Sequence, residues 1–306
     1  MLALYLWRHQ TASLVMVEPL PKNFGSTENI SGQWISIMLD NTPEARPQLG
    51  LSSAQFVYEA LVEGGMTRLM AVYNRDNLPS KVGPIRSARP YFLDLANSWG
   101  GWYWHAGGSP QALNQLAKQV WHFTNIDEIG YQGIYFYRDN EYVSPHNLFS
   151  DRQHIHLALD KFSANSLPLS GWRWQAELEL RWRPNNASSL LIPYPLQSTT
   201  VVWTYDRFTN NWQRQVGGRV EDIDVKNVVV LFMETSMIDK ERLAIDTIGK
   251  GSAWLLADGQ KQELTWRRAS HNDVLSLWQG DHLVALRPGL VWFNIIPSYL
   301  QPEWLP

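Results

Sequence analysis

Hydrophobic and polar positions divide the chain into two stretches of different rhythm. Over Gly32–Phe162 short apolar runs alternate with segments of three-to-four periodicity. Trp34–Leu39 predicts a strand, stopped by the turn signal Asp40-Asn41-Thr42-Pro43. Ser52–Glu63 predicts a helix, with Ser52 or Ser53 as its cap and Phe56, Ala60 and Leu61 on its buried face. Leu69–Tyr73 predicts the next strand. Ala88–Trp99 predicts a helix with Pro90 in its first turn, where a missing N–H costs nothing. Trp102–His105 reads as a short strand and Gln111–Val120 as the helix after it. This alternation predicts a mixed sheet with helices packed on it.

Leu167–Thr199 changes character, with several prolines and Asn185-Asn186. Beyond it period-two runs dominate: Thr200–Tyr205, Trp212–Val216, Asn227–Phe232, Leu243–Thr247, Ala253–Leu256, Glu263–Trp266, Val274–Trp278 and Leu283–Leu286. Val228–Phe232 is apolar on both faces and predicts a central strand. The expected fold class is therefore α/β (α+β): a layered mixed β-sheet with packed helices, plus a smaller, mostly β C-terminal domain. The expected organisation is 1–30 leader or truncated anchor, 31–165 N-terminal α/β domain, 166–199 irregular crossover and 200–300 C-terminal domain. In the first segment neither Met1–Trp7 nor Ser13–Val17 approaches the roughly 18 apolar residues of a membrane span. The features of a signal peptide are also missing there, so a leader and the stump of an anchor stand as alternatives.

Composition narrows the function classes. Charged residues are 18% of the 306 and the formal net charge is −3, which leaves no global basic field and argues against nucleic acid as a partner. The absence of cysteine removes disulfides, thiolate metal sites, a Cys nucleophile and a lipid-modified Cys. The sequence carries 16 Trp; core filling and exposed sugar-binding platforms are both open readings of them.

Four constellations could carry chemistry. Lys81-Val82-Gly83-Pro84-Ile85-Arg86-Ser87-Ala88-Arg89-Pro90 has three cations and no acid, at the handover from a loop to a helix N-terminus that favours an anion. Arg86 and Arg89, three apart, would share one helical face and form a fork for phosphate or carboxylate; structural pairing with Glu59, Glu63 or Asp94 is the alternative. His105, Gly107, Gly108 and Ser109 have the layout of a ligand-facing loop at a sheet's carboxyl edge, with Ser109 read as a helix cap. Ser144-Pro145-His146-Asn147, preceded by Arg138, offers a loop histidine for acid–base work or anion binding. Asp40, with Asn41 and Arg46, could bind Mg²⁺, act as a base or make an Asx-turn. Glu59 and Glu63, four apart on one helix face, could answer the basic cluster.

Several of these stretches resemble the YerB-like family of bacterial envelope proteins, whose domains are of unknown function. The N-terminal likeness runs through Ile37–Asn41, Arg46-Pro47-Gln48, Phe56–Arg68, Lys81–Phe92, His105–Leu113 and Pro145–Leu148. The C-terminal likeness runs through Asn227–Phe232, Glu234-Thr235-Ser236, Asp246–Gly249, Gly251-Ser252-Ala253, Trp266, Ala269-Ser270 and Leu286–Gly289. The resemblance implies an α/β N-terminal domain, a smaller mixed β C-terminal domain and an extracytoplasmic location, often through a lipobox Cys that this chain lacks. A looser likeness in layout connects it to the LytR-CpsA-Psr phosphotransferases. Pro84-Ile85-Arg86-Ser87 stands where that family prefers an Arg followed by Asp.

The leading expectation is an envelope protein that binds an anionic cell-wall or glycan ligand. The expected pocket comprises Arg46, Glu59, Arg68, Lys81, Arg86, Ser87, Arg89, His105, Gly107, Gly108, Ser109, Arg138, His146 and Asn147. No cofactor is evident. The first alternative is a metal-dependent phosphotransferase or hydrolase with Asp40, Glu63 and His146 as catalytic candidates, Asp40 being the weak candidate for Mg²⁺. The second is a protein–protein adaptor using the Trp-rich C-terminal domain.

Overall fold

Trp34–Asp40 (β1), Phe56–Leu61 (β2) and Thr67–Asn74 (β3) are buried along almost their whole length and form the centre of the N-terminal half. The computed structural model describes residues 32–118, 120–164, 172–186 and 188–306. The expected leader or anchor at 1–30 lies outside the described residues, as do residues 166–171 and 187 of the expected crossover. The first half continues with β4 (Lys81–Val82), α1 (Pro90–Asn97), β5 (Trp102–His105), α2 (Pro110–Leu116), β6 (Thr124–Asp127), the single turn α3 (Glu128–Tyr131), β7 (Tyr137–Arg138), β8 (Leu148–Asp151) and α4 (Arg152–Lys161). The second half adds β9 (Arg173–Trp174), β10 (Ser189–Ile192), β11 (Val201–Asp206), β12 (Asn211–Val216), β13 (Arg219–Val225), β14 (Asn227–Met233), the hairpin β15 (Thr235–Met237) and β16 (Leu243–Ile245), β17 (Gly249–Ala257) and β18 (Gln260–Arg268). It closes with β19 (Ser276–Gln279), β20 (His282–Leu283), β21 (Ala285–Leu286), β22 (Val291–Pro297) and β23 (Glu303–Leu305).

One sheet of eleven strands runs through both halves in the order β20-β19-β18-β17-β14-β22-β2-β3-β1-β5-β6. β22, near the end of the sequence, pairs in parallel with both β2 and β14 and joins the halves. β1, β5 and β6 are parallel to one another, and β3 runs antiparallel between β1 and β2. The strands β6, β5, β1, β2, β22 and β14 therefore share one carboxyl edge, where β3 and β17 begin. Loops at such an edge are where α/β sheets place their ligands.

Helices and a second sheet cover the two faces. On one face α1 packs Tyr91, Phe92, Leu93, Leu95 and Ala96 against Met38, Phe56, Tyr58 and Met70. On the other, α4 and the five-stranded sheet β13-β12-β11-β10-β23 bury Ile155, Leu190, Trp203 and Trp212 against Ile37, Val57 and Trp292. β14 lies between β17 and β22, and all but one of its residues are buried, which agrees with the central strand expected there. Nine of the 16 tryptophans are buried in the core, and Trp34, Trp99, Trp102, Trp104, Trp203, Trp212 and Trp292 are less than 2% exposed.

The helix expected over Ser52–Glu63 does not form. Leu51–Ser53 makes one 3-10 turn, and Phe56–Leu61 is a strand with every residue buried. Phe56, Tyr58 and Ala60 enter one core cluster while Val57 and Leu61 enter the other, so both faces had to be apolar. A strand buried on both faces writes a continuous apolar run that periodicity cannot separate from a buried helix. Consequently Glu59 and Glu63 share no helix face: Glu59 sits mid-strand and Glu63 opens the turn after it.

Candidate functional site

At the carboxyl edge of β1 the chain turns at Asp40-Asn41-Thr42. Asp40 is only 1% exposed, and its carboxylate is heavily engaged. Oδ1 accepts the Thr42 amide at 3.0 Å, while Oδ2 lies 2.8 Å from both His146 Nδ1 and Arg86 Nε. Burial pushes this carboxyl up, yet the Thr42 amide, His146, Arg86 and Arg68 together hold it below its ordinary value. An ionised carboxylate only accepts, so in the neutral imidazole Nδ1 carries the proton and Nε2 is left as the acceptor.

Arg68 stands opposite Asp40 in the β1–β3 register. It is 8% exposed and has no carboxylate within ion-pairing distance among the described residues. NH1 donates to the Ser87 carbonyl at 2.9 Å, and the buried Nε has no acceptor. Burial and the neighbouring Arg89 pull its pKa down to about 10, against the opposing pull of Asp40, Tyr91 and Glu63. Beside it, Arg89 makes a bidentate pair with Glu63, both contacts at 2.6 Å. That pair outweighs burial and lowers the Glu63 carboxyl. Three arginines thus face two carboxylates, leaving one uncompensated positive charge.

Arg86 and Arg89 reach this place by a route different from the shared helical face expected of them. α1 starts only at Pro90, with Arg89 as its N-cap residue. The segment before it is extended and held by the bridges Leu39↔Ile85 and Ala88↔Gly108. The two side chains therefore diverge, Arg86 to Asp40 and Arg89 to Glu63, with Arg68 beside both pairs.

The other expected residues take up separate places around this cluster. His146 joins the cluster; Asn147 and Arg138 flank it, Arg138 NH1 donating to Asn147 Oδ1 at 3.2 Å and NH2 to Glu128 at 3.0 Å. Lys81 pairs with Asp139 and lies over the Phe149 ring, on the β4–β8 side. His105 is fully buried with both ring nitrogens occupied, by the Gly107 carbonyl and Asn125 Oδ1, each at 2.7 Å. The Gly107 amide donates to Asp127 at 2.8 Å, Gly108 bridges to Ala88, and Ser109 caps α2 through the Ala112 amide. Ser87 contributes its carbonyl to Arg68.

Arg46 and Glu59 face inward, away from the arginines. Arg46 donates to Asn41 and to the Ser198 carbonyl, tying the turn to the five-stranded sheet. Glu59 is wholly buried, and its two oxygens accept from Arg214 NH2 at 2.8 Å each. Asn41, Thr67 and Trp292 complete its shell. Arg214, equally buried, also reaches Glu221, and these two carboxylates outweigh desolvation and raise its pKa. Sequence reasoning missed Arg214, although it left a signal. In Trp212-Gln213-Arg214-Gln215-Val216 the alternate positions that point inward read apolar, charged, apolar.

Among the described residues no three His, Cys, Asp or Glu side chains come together as a metal site, and no helix is long and apolar enough to cross a membrane. A Mg²⁺ at Asp40 would have to displace the Arg86 and His146 donors from the same oxygen.

The molecule is thus an α+β chain whose two halves share one sheet and which carries an arginine cluster at that sheet's carboxyl edge. Residues 25–165 match the N-terminal domain and residues 190–293 the C-terminal domain of the protein family of unknown function DUF3048, and the chain belongs to that family. It is 29% identical over 279 residues to "Putative lipoprotein YerB" of Bacillus subtilis (strain 168), covering 86% of this chain and 81% of that protein. The crystal structure of YerB from Bacillus subtilis superposes with a TM-score of 0.79 at 25% identity, over 90% of this chain and 94% of YerB. The likeness read from the motifs therefore holds over both halves.

Proposed function

We propose that this protein binds an anionic ligand, a phosphate- or carboxylate-bearing glycan or wall precursor, through Arg68, Arg86, Arg89 and His146. The observation that carries the reading is Arg68, a guanidinium more than nine-tenths buried whose only hydrogen bond among the described residues is to a carbonyl. A buried charge is normally paired, because leaving it alone costs several kcal/mol. A ligand anion would supply the missing partner. The surplus of a single charge suits one carboxylate or one phosphodiester. The lipoprotein name of the relative supports a location outside the cytoplasmic membrane, where such ligands are found.

Calorimetric titration with glucuronate, inorganic phosphate and a dialkyl phosphate tests this. Arg68→Met should abolish the heat of binding while changing stability by no more than about 1 kcal/mol, since it removes an unpaired charge together with one hydrogen bond. Unchanged binding in Arg68→Met would overturn the proposal. Arg86→Ala is the poorer probe, because it strips a donor from the buried Asp40.

A second reading rests on the Asp40–His146 pair. A buried carboxylate orienting an imidazole is an arrangement for general-base catalysis, here beside arginines able to stabilise a developing oxyanion. Hydrolysis of bis(p-nitrophenyl) phosphate that disappears in His146→Ala would favour it, and no turnover with or without Mg²⁺ would set it aside.

A further inference from the structure

The same sheet edge carries a second feature, four strands away from Asp40, that the arginine cluster does not use. β14 and β22 end side by side at Met233 and Pro297. β17 begins there in the opposite direction, so Glu234, Ser298 and Lys250 gather around one opening. The result is a groove of about 560 Å³, within the range of small-molecule sites.

Its wall is aromatic and its rim polar. Trp254 meets Phe232 edge-on, with ring centroids 5.3 Å apart at 69°, and carries the Lys261 ammonium 4.2 Å from its ring centre. Trp266 closes the base by donating from Nε1 to the Phe232 carbonyl at 2.9 Å. Gly251 makes room for that bond: a Cβ there would lie 2.6 Å from Nε1. On the rim, Glu234, Asp246, Lys250, Ser252 and Ser298 make no side-chain hydrogen bond or ion pair with any other described residue. The charged side chains Arg89, Glu63, Arg86 and Asp40, on the same edge, are all paired.

We infer that this groove is a binding site for an uncharged saccharide. Carboxylates accept hydrogen bonds from neighbouring ring hydroxyls, the lysine and serines donate to ring and hydroxyl oxygens, and the apolar C–H face of the sugar packs on indole. Two unpaired carboxylates repel an anion, which separates this site from the arginine cluster. The polar rim disfavours a wholly apolar occupant. Four strand spacings place the groove about 20 Å from Asp40, far enough for the two sites to be perturbed independently.

The test is titration of the full chain with maltotetraose, cellotetraose and chitotetraose, read by calorimetry and by tryptophan fluorescence. At least one should bind saturably. Glu234→Gln, an exposed substitution that leaves the core untouched, and Trp254→Leu should each weaken it by roughly tenfold, the size of one lost stacking or charge-assisted contact. Arg68→Met should leave it unchanged. The inference fails if none of the three binds at about 10 mM, a concentration that reveals even millimolar sites. It fails equally if Glu234→Gln, melting like the parent, binds as the parent does, or if adenosine binds as tightly as the sugars.

Discussion

Replacing Arg214 with Met is the sharpest test of what holds the two halves together. The guanidinium is fully buried between Glu59 and Glu221 and lies 4.7 Å from the Trp292 ring centre. Methionine fills much of the same volume, so the cavity term is small and the loss is electrostatic. At the ~4 Å separation of the two charge centres and an effective dielectric near 20, the Glu59 attraction alone is about 4 kcal/mol. Removing one member of a buried pair typically costs about 3–5 kcal/mol, because the other charge stays behind without compensation. Asn41, Thr67 and Trp292 still donate to Glu59, which places the expected loss toward the lower end. For a chain of this size that corresponds to a melting temperature lowered by roughly 5–6 °C. Urea unfolding followed by tryptophan fluorescence is the assay, since Trp203 and Trp292 flank the substituted side chain. The double variant Glu59→Gln/Arg214→Met removes the fully buried one of the two stranded carboxylates, leaving Glu221, and should recover a substantial part of the deficit. A single variant within about 1 kcal/mol of the parent, or a double variant as unstable as the single, would refute the reasoning.

Other expectations follow from the same geometry. Asp40 and Glu63 both titrate below their ordinary values in the folded protein, so the stability they contribute is present above about pH 4 and lost as the pH falls through their folded-state values. Acid unfolding of Asp40→Asn should therefore show a shallower pH dependence than the parent between about pH 4 and 2, and an identical profile would contradict the assignment. Gly101→Ala should cost about 3 kcal/mol or more, from a left-handed backbone together with a steric clash. At φ +66 its new Cβ would lie 1.9 Å from the Trp34 carbonyl oxygen, so a melting temperature close to that of the parent would count against the described β1–β5 junction. Ser109→Ala removes the α2 cap, and a loss near 1 kcal/mol in thermal unfolding is expected.

Local residue patterns dictate the elements whose two faces differ, and the chemistry available to them. Period-two runs in the second half mark strands such as β11 and β12 because one face enters the core and the other meets water. Pro90 and Ser109 mark helix starts through backbone stereochemistry and side-chain capping, which act within a turn. The acid-free stretch of Lys81, Arg86 and Arg89 was legible from local charge, Asp40 and His146 from their turn and loop motifs, and Arg68 from the family-like stretch that contains it. Tertiary structure decided the rest. β2 is a strand because β3 and β22 flank it, and β22 comes from the far end of the chain. It also decided which cations are paired. Glu63 neutralises Arg89 from 26 residues away and Asp139 neutralises Lys81 from 58. Arg214 and Glu59 meet across 155. Ion pairing depends on distance and desolvation in the folded state, and separation along the chain carries neither. Only after the chain closes does Arg68, rather than Arg86, emerge as the member of that cluster without a carboxylate of its own among the described residues.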